Sequence, residues 1–435
     1  MKRFLAIALT LVLAFGTLGM HAVAETEDKL TIWSYGTPEY MRIYFQRYLD
    51  RENTGLTAEM ANYSGEAEVR QQIMMTVNAG AMDDLPTAIS TFPVSMQVLV
   101  EAGLLADITD YVTPYIDQFV EGAFDQATYN GRIYGMPYTL QPKMMFYNQE
   151  IFDKYEIDPE RMSTFKGYIE VGRELLEKSE GKVKLSYVDP SSYTWRYWFR
   201  RGLMPQANAR IWDENGNVVF DTDPGTRLAM ETFNTMLTEG MLMNVGIFSA
   251  EQYEAARQGE IATYYIESFW DTFLRGNLQD MSGAWRCMPA PVFDEVGTAG
   301  AQVIAMYCPV NTGDEEKTKL FVDMLLDFNL NAAERNQWTE DMLAMDYATE
   351  HPITKELQAD PYWTEASDFY GGQSYRQMVT KSFENPSENL PVNLNDAEAD
   401  TIISSEMEKW VAGAQDMETT IEAIGRELRT RLNLQ

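Results

Sequence analysis

Histidine is almost missing from this chain. Of 435 residues two are histidine, His21 and His351. A lone histidine in the body of the chain builds neither a polyhistidine metal site nor a Ser-His-Asp relay. Cysteine is as scarce, with Cys287 and Cys308 alone. No G-x-S-x-G elbow, Walker loop or dinucleotide fingerprint occurs. Paired carboxylates can run glycoside hydrolysis, which keeps a secreted carbohydrate-active enzyme open, but among 66 acidic residues such pairs are inevitable and uninformative. Basic residues are short as well, 34 against those 66, for a net charge of −32. So acidic a chain is a poor partner for nucleic acid or anionic membranes. The same charge admits a binding protein for a cationic ligand, a polyamine or a metal ion, although its plainer use is solubility. Beyond the first 24 residues no apolar run is long enough to span a bilayer. Internal repeats and Gly/Ser tethers are absent too, so any two domains must be joined by structured crossings.

What is present begins with Met-Lys-Arg, an apolar run from Phe4 to Met20, and Ala22-Val-Ala24. This is the pattern of a secretory signal peptide over residues 1–24, cleaved before Glu25, and it predicts a periplasmic or secreted protein. Its removal takes Lys2 and Arg3 and shifts the net charge from −32 to −34. In that oxidising compartment Cys287 and Cys308, each within a strand-like segment, can form a disulfide or remain buried thiols.

Length suggests about two to four domains. Strand signals at 30–34, 56–60 and 85–90 alternate with helical spacing at 39–50, 66–78 and 94–102, which predicts βαβ units and a parallel sheet. Asn130-Gly131 marks a tight turn. Two short strands then follow, each near a proline, Pro137 and Pro142, a poor sequence for a central strand and a good one for a chain leaving one domain for another. Asn148 is placed to cap a helix. Further on, a helix is expected over 163–178, a strand at 184–188, a hairpin through Asn215-Gly216, helices over 227–239 and 250–258, and a strand from 259 that runs into a loop. The Cys287 and Cys308 strands, a helix over 315–328 and amphipathic helices over 407–432 complete the chain.

Aromatic side chains cluster where such strands end. In open α/β sheets ligands bind outside the carboxyl ends of the strands, and sugars offer flat C–H faces to rings and hydroxyls to polar groups. The candidates are Tyr35, Tyr63, Phe92, Tyr193, Trp195, Trp198 and Trp270, with Thr37, Glu39, Arg196 and Asp271 as polar partners. Trp33, mid-strand, reads as core. Tyr264 and Tyr265 are adjacent on a strand and point to opposite faces, as ordinary sheet tyrosines do.

The stretch IYGMPYTLQPKMMFYNQEIF, from Ile133 to Phe152, resembles the signature of family 1 extracellular solute-binding proteins, the sugar receptors of ABC importers. EAGLLADIT at 101–109 and GEIATYYIESFW at 259–270 resemble further segments of that family. The resemblance implies an α/β, two-lobed periplasmic-binding-protein fold with a hinge and an inter-lobe ligand cleft. It implies three crossings, expected near 137–141, 287–290 and 328–332, and hence one lobe of 25–137 plus 287–329 and another of 138–286 plus 330–435. It further implies a carbohydrate ligand, an oligosaccharide, delivered to the permease of an ABC transporter by a monomer that needs no cofactor and catalyses nothing. Trp270 matches the family's sugar-stacking tryptophan, although Glu267-Ser268-Phe269 precedes it where the family has a Gly-Ser-Trp-like turn.

Overall fold

The computed structural model describes residues 29–36, 39–298, 300, 302–345 and 351–434. The leader expected over residues 1–24 and the candidate Thr37 lie outside them. Among the described residues no helix is long and apolar enough to cross a membrane.

The chain opens with the expected alternation. Strand β1 (Lys29–Tyr35), helix α1 (Glu39–Arg51), β2 (Thr57–Tyr63), α2 (Glu66–Asn78), β3 (Ala88–Thr91) and α3 (Pro93–Glu101) follow one another. β1 pairs in parallel with both β2 and β3. The short hairpin β4 (Thr128–Tyr129) and β5 (Arg132–Ile133) turns through Asn130 and Gly131, both in the left-handed region at φ 50° and 74°, which Asn and Gly enter cheaply.

β6 (Met136–Asn148) is one continuous strand where the prolines predicted two. Its first half pairs with β11 (Gln302–Pro309), and its second half lies between β9 (Thr263–Glu267) and β10 (Trp285–Pro289). Pro142 stands where the partner changes, opposite Gln302 and one residue before the β9 ladder begins at Lys143. Proline lacks an amide proton, and the ladder tolerates it at this exchange point. Two parallel strands, β7 (Ser186–Val188) and β8 (Leu242–Asn244), form a separate small sheet. Asn148 caps the next helix, accepting from the Glu150 amide at 3.0 Å. The strand expected from 259 is β9, and a two-residue turn, Ser268-Phe269, leads from it into a helix, Trp270–Asn277, in place of the expected loop.

Two apolar cores result. The first gathers β1–β3, the start of β6 through Leu140, β11 and the helix Glu315–Leu330, and continues through Trp338, Met342 and Ile353. The second takes Met144 to Phe293, and again Phe369 to Leu428. The chain therefore passes between cores within Gln141–Lys143, between Phe293 and Ile304, and between Ile353 and Phe369. Two expected crossings move. Cys287 belongs to the second core because β10 pairs with the second half of β6. The crossing expected at 328–332 is displaced because Trp338 packs edge-on against Phe328 and donates its indole N–H to the Tyr40 carbonyl at 2.9 Å. The two cysteines, one in each core, are free thiols.

Candidate functional site

β6 runs antiparallel to β11, which runs antiparallel to β3, so β6 leaves the first core at the carboxyl edge of β1, β2 and β3. β9 runs antiparallel to β6 and ends at the same crossing, with Glu267 opposite Lys143. β7 and β8 lie parallel to one another, and a parallel bridge from Lys184 to Ile261 aligns them with β9. The carboxyl edges of both sheets thus point at one another across the crossing, where ligands of open α/β sheets bind.

The first core contributes Tyr35 and Tyr63, the last residues of β1 and β2, and Phe92, the residue after β3. Tyr35 and Phe92 stand 5.6 Å apart, both partly exposed. Tyr63 packs edge-on against Trp33 at 5.7 Å, and Trp33 is buried as expected. The Asn62 amide donates to the Gly36 carbonyl at 3.1 Å, tying the ends of β1 and β2. Burial and then the Glu66 carboxylate hold the Tyr35 phenol well above its ordinary range, against a downward pull from Ser90, Arg201 and Arg196.

The second core contributes an aromatic wall. Tyr193, Phe248 and Phe269 follow β7, β8 and β9, and Tyr197 and Phe273 complete it. Tyr193 lies 5.5 Å from Tyr197 and 5.8 Å from Phe248, and Phe269 lies 5.8 Å from Tyr197. Buried Asp189 fixes the two loops, accepting from the Ser191 amide at 2.8 Å and the Ile247 amide at 2.6 Å. Arg201 reaches across from this wall, its guanidinium 4.9 Å from the Phe92 ring centre and 5.9 Å from that of Tyr197.

Beneath the wall Lys143 and Glu267 are fully buried, with Nζ 3.5 Å from the carboxylate. Lys143 also donates to the Tyr197 carbonyl and lies 4.6 Å from the Tyr265 ring centre. Burial lowers its pKa to about 8, with Glu267 opposing the shift and Arg201 adding to it.

Several candidates stand elsewhere. Trp270 and Trp198 are 0% exposed and Trp195 is 2% exposed, all in the second core. Trp270 turns under the sheet because its helix starts immediately after the β9 turn, and it packs at 5.1 Å on Tyr264 and 5.5 Å on Phe248. Phe269, one residue earlier, takes the partly exposed place. The Trp195 indole N–H donates to Asp400 at 2.7 Å, away from the wall. Asp271 is held by Arg275 at 2.7 Å and by the Tyr370 hydroxyl at 2.8 Å, and Glu39 is held by Arg42. Tyr264 and Tyr265 are both buried, and the Tyr264 hydroxyl accepts from Gln252 at 2.6 Å. The aromatic and basic cluster at 193–201 was a usable signal for Tyr197 and Arg201. Phe248, on a loop after a three-residue strand, left none.

Two strand edges facing each other across a shared strand define a two-lobed binding protein. A sequence model of the bacterial extracellular solute-binding proteins matches residues 45–369, and the chain belongs to that family. It is 27% identical over 298 residues to the arabinooligosaccharide-binding protein of Halalkalibacterium halodurans, covering 67% of this chain and 63% of that one. It is 23% identical over 354 residues to the arabinooligosaccharide-binding protein of Bacillus subtilis, covering 79% and 78%. Among solved structures, the sugar-binding protein MalE of Xanthomonas citri superposes with a TM-score of 0.75 at 13% identity, covering 93% of this chain and 97% of that one. An ABC transporter associated binding protein of B. animalis subsp. lactis, in complex with beta-1,6-galactobiose, gives 0.74 at 17%, with the same coverage.

Proposed function

We propose that this protein captures an oligosaccharide outside the cytoplasm and hands it to the membrane subunits of an ABC importer, as a monomer without a cofactor. The observation that carries this reading is the pair of facing strand edges, each bearing partly exposed rings: Tyr35, Tyr63 and Phe92 on one side, Tyr193, Phe248 and Phe269 on the other. Rings on both sides fit a stacked sugar chain. Closure follows because a ligand touched from both cores favours the form in which they approach. The oligosaccharide ligands named for both curated relatives agree with it. A cationic ligand is the weaker reading, since the candidate acids Glu39 and Asp271 are already paired and two arginines stand at the cleft.

Calorimetry of the mature protein against arabino-, galacto- and malto-oligosaccharides, and against spermidine, tests it. Saturable binding of an oligosaccharide, recovered intact by product analysis, is the expected result. Binding of spermidine alone, or cleavage of the glycan, would overturn it.

A further inference from the structure

We propose that the oligosaccharide taken by this cleft carries a carboxylate, as a uronic acid residue does, and that Arg196 and Arg201 receive it. The inference rests on the reading of the protein as an oligosaccharide receptor and narrows the ligand class.

Acids outnumber bases nearly two to one here, and neighbouring arginines are claimed by them. Arg200, between the two in sequence, lies 2.9 Å from Asp396 and 3.3 Å from Asp400. Arg275 is held by Asp271 and Arg257 by Asp280. Among the described residues Arg196 and Arg201 make no ion pair and no side-chain hydrogen bond. Their guanidinium groups lie against rings instead, Arg196 5.7 Å from the Tyr193 centre and Arg201 between Phe92 and Tyr197. A guanidinium stacked on a ring keeps its N–H edge free for the planar, two-pronged recognition of a carboxylate.

The two arginines share one short helix. Thr194–Leu203 is a π-helix, whose hydrogen bonds run from i to i+5. Arg196 and Arg201 both stand on this helix with their guanidinium groups against rings, while Arg200 is turned to Asp396 and Asp400. Both guanidinium groups act on the Tyr35 hydroxyl across the cleft, and Arg201 also acts on buried Lys143. Glu267 answers Lys143. Glu66, the acid acting on the same tyrosine, accepts from the Thr91 hydroxyl at 3.0 Å and pairs with neither arginine. Arg196 also acts on Asp400, an acid already held by Arg200 and the Trp195 indole, and the remaining positive potential of the arginines is left for a ligand.

The test uses matched probes: oligogalacturonates and glucuronate-bearing xylo-oligosaccharides, each beside its carboxyl-reduced neutral counterpart, titrated by calorimetry into the mature protein. At least one acid is expected to bind roughly tenfold to a hundredfold more tightly than its neutral mate, the range of a charge-assisted hydrogen bond. The preference should shrink as salt rises. In Arg196→Gln/Arg201→Gln, shown to be folded by its thermal transition, the acid-to-neutral ratio should fall to about one. If neutral oligosaccharides bind as tightly as or more tightly than every acidic mate, the inference fails and the receptor reading stands. If no oligosaccharide binds, acidic or neutral, both fail. A preference that survives in the double variant would remove these two arginines from the role.

Discussion

Trp270 separates a binding ring from a core ring. Its side chain is fully buried, with Tyr264, Phe248, Phe273 and Tyr253 around it at 5.1, 5.5, 5.6 and 6.2 Å between ring centres. Cutting it to alanine removes the transfer energy of a large side chain and leaves a cavity walled by four rings, two of which, Phe248 and Phe273, already pack on each other at 4.8 Å. Trp→Ala changes of this kind cost about 3–5 kcal/mol, a large part of the roughly 5–15 kcal/mol that holds a domain folded. For a unit of the second core's size that is a fall in Tm on the order of 10 °C. Trp270→Phe should cost much less, because the indole N–H has no hydrogen-bond partner to lose. Calorimetric melting of both variants beside the parent protein measures the difference, and isothermal titration with whichever oligosaccharide binds measures affinity. A Trp270→Ala protein that melts with the parent but binds roughly thirtyfold more weakly would refute the core assignment and return Trp270 to the cleft.

Phe92→Ala and Phe269→Ala should do the opposite, each weakening ligand binding by about 1–2 kcal/mol while leaving Tm within a few degrees; a core-sized loss of Tm would refute the cleft assignment. Lys143→Met should cost about 3–5 kcal/mol in urea unfolding, because it strands the Glu267 carboxylate in the interior, whereas Lys143→Met with Glu267→Met should cost less; equal stability of parent and single variant would refute the pair. His351 is buried beside Trp363 and Phe383, its Nε2 3.1 Å from the Thr380 hydroxyl. Burial, aided by Arg335 and Arg376, lowers its pKa to about 3. Because the folded value lies below the ordinary 6.5, the unfolded chain takes the proton first, and this group's share of stability falls as pH drops from about 6.5 towards 3. In protein lacking residues 1–24 the single imidazole resonance should not move between pH 8 and 5, and an ordinary titration there would refute the burial. Small-angle scattering should give a smaller radius of gyration with ligand than without, and no change in a protein shown to open would count against closure.

Much of this protein could be read without its structure, because local rules acted alone. Alternating periodicity fixed β1 to α3, Asn130-Gly131 made the turn, and Asn148 capped its helix. Since a parallel strand must deliver its last residues to one edge, Tyr35, Tyr63 and Phe92 were legible as neighbours at one sheet edge. Wherever partners distant in sequence decide, reading failed. Pro137 and Pro142 sit inside one strand because β6 changes neighbours between them and its second half. Trp338 stays with the first core because Phe328 and Tyr40 hold it there. The two-residue step from β9 into a helix turned Trp270 inward and left Phe269 at the surface, one residue from the expected place. Arg196 and Arg201 lie on a π-helix, Thr194–Leu203, which a search at 3.6 residues per turn does not reveal. Residue order determined which rings and charges lie near the strand ends, since that follows from spacing along one segment. Which of them reach the cleft was decided only by tertiary packing, because each side chain turns toward whatever distant surface excludes water from it best.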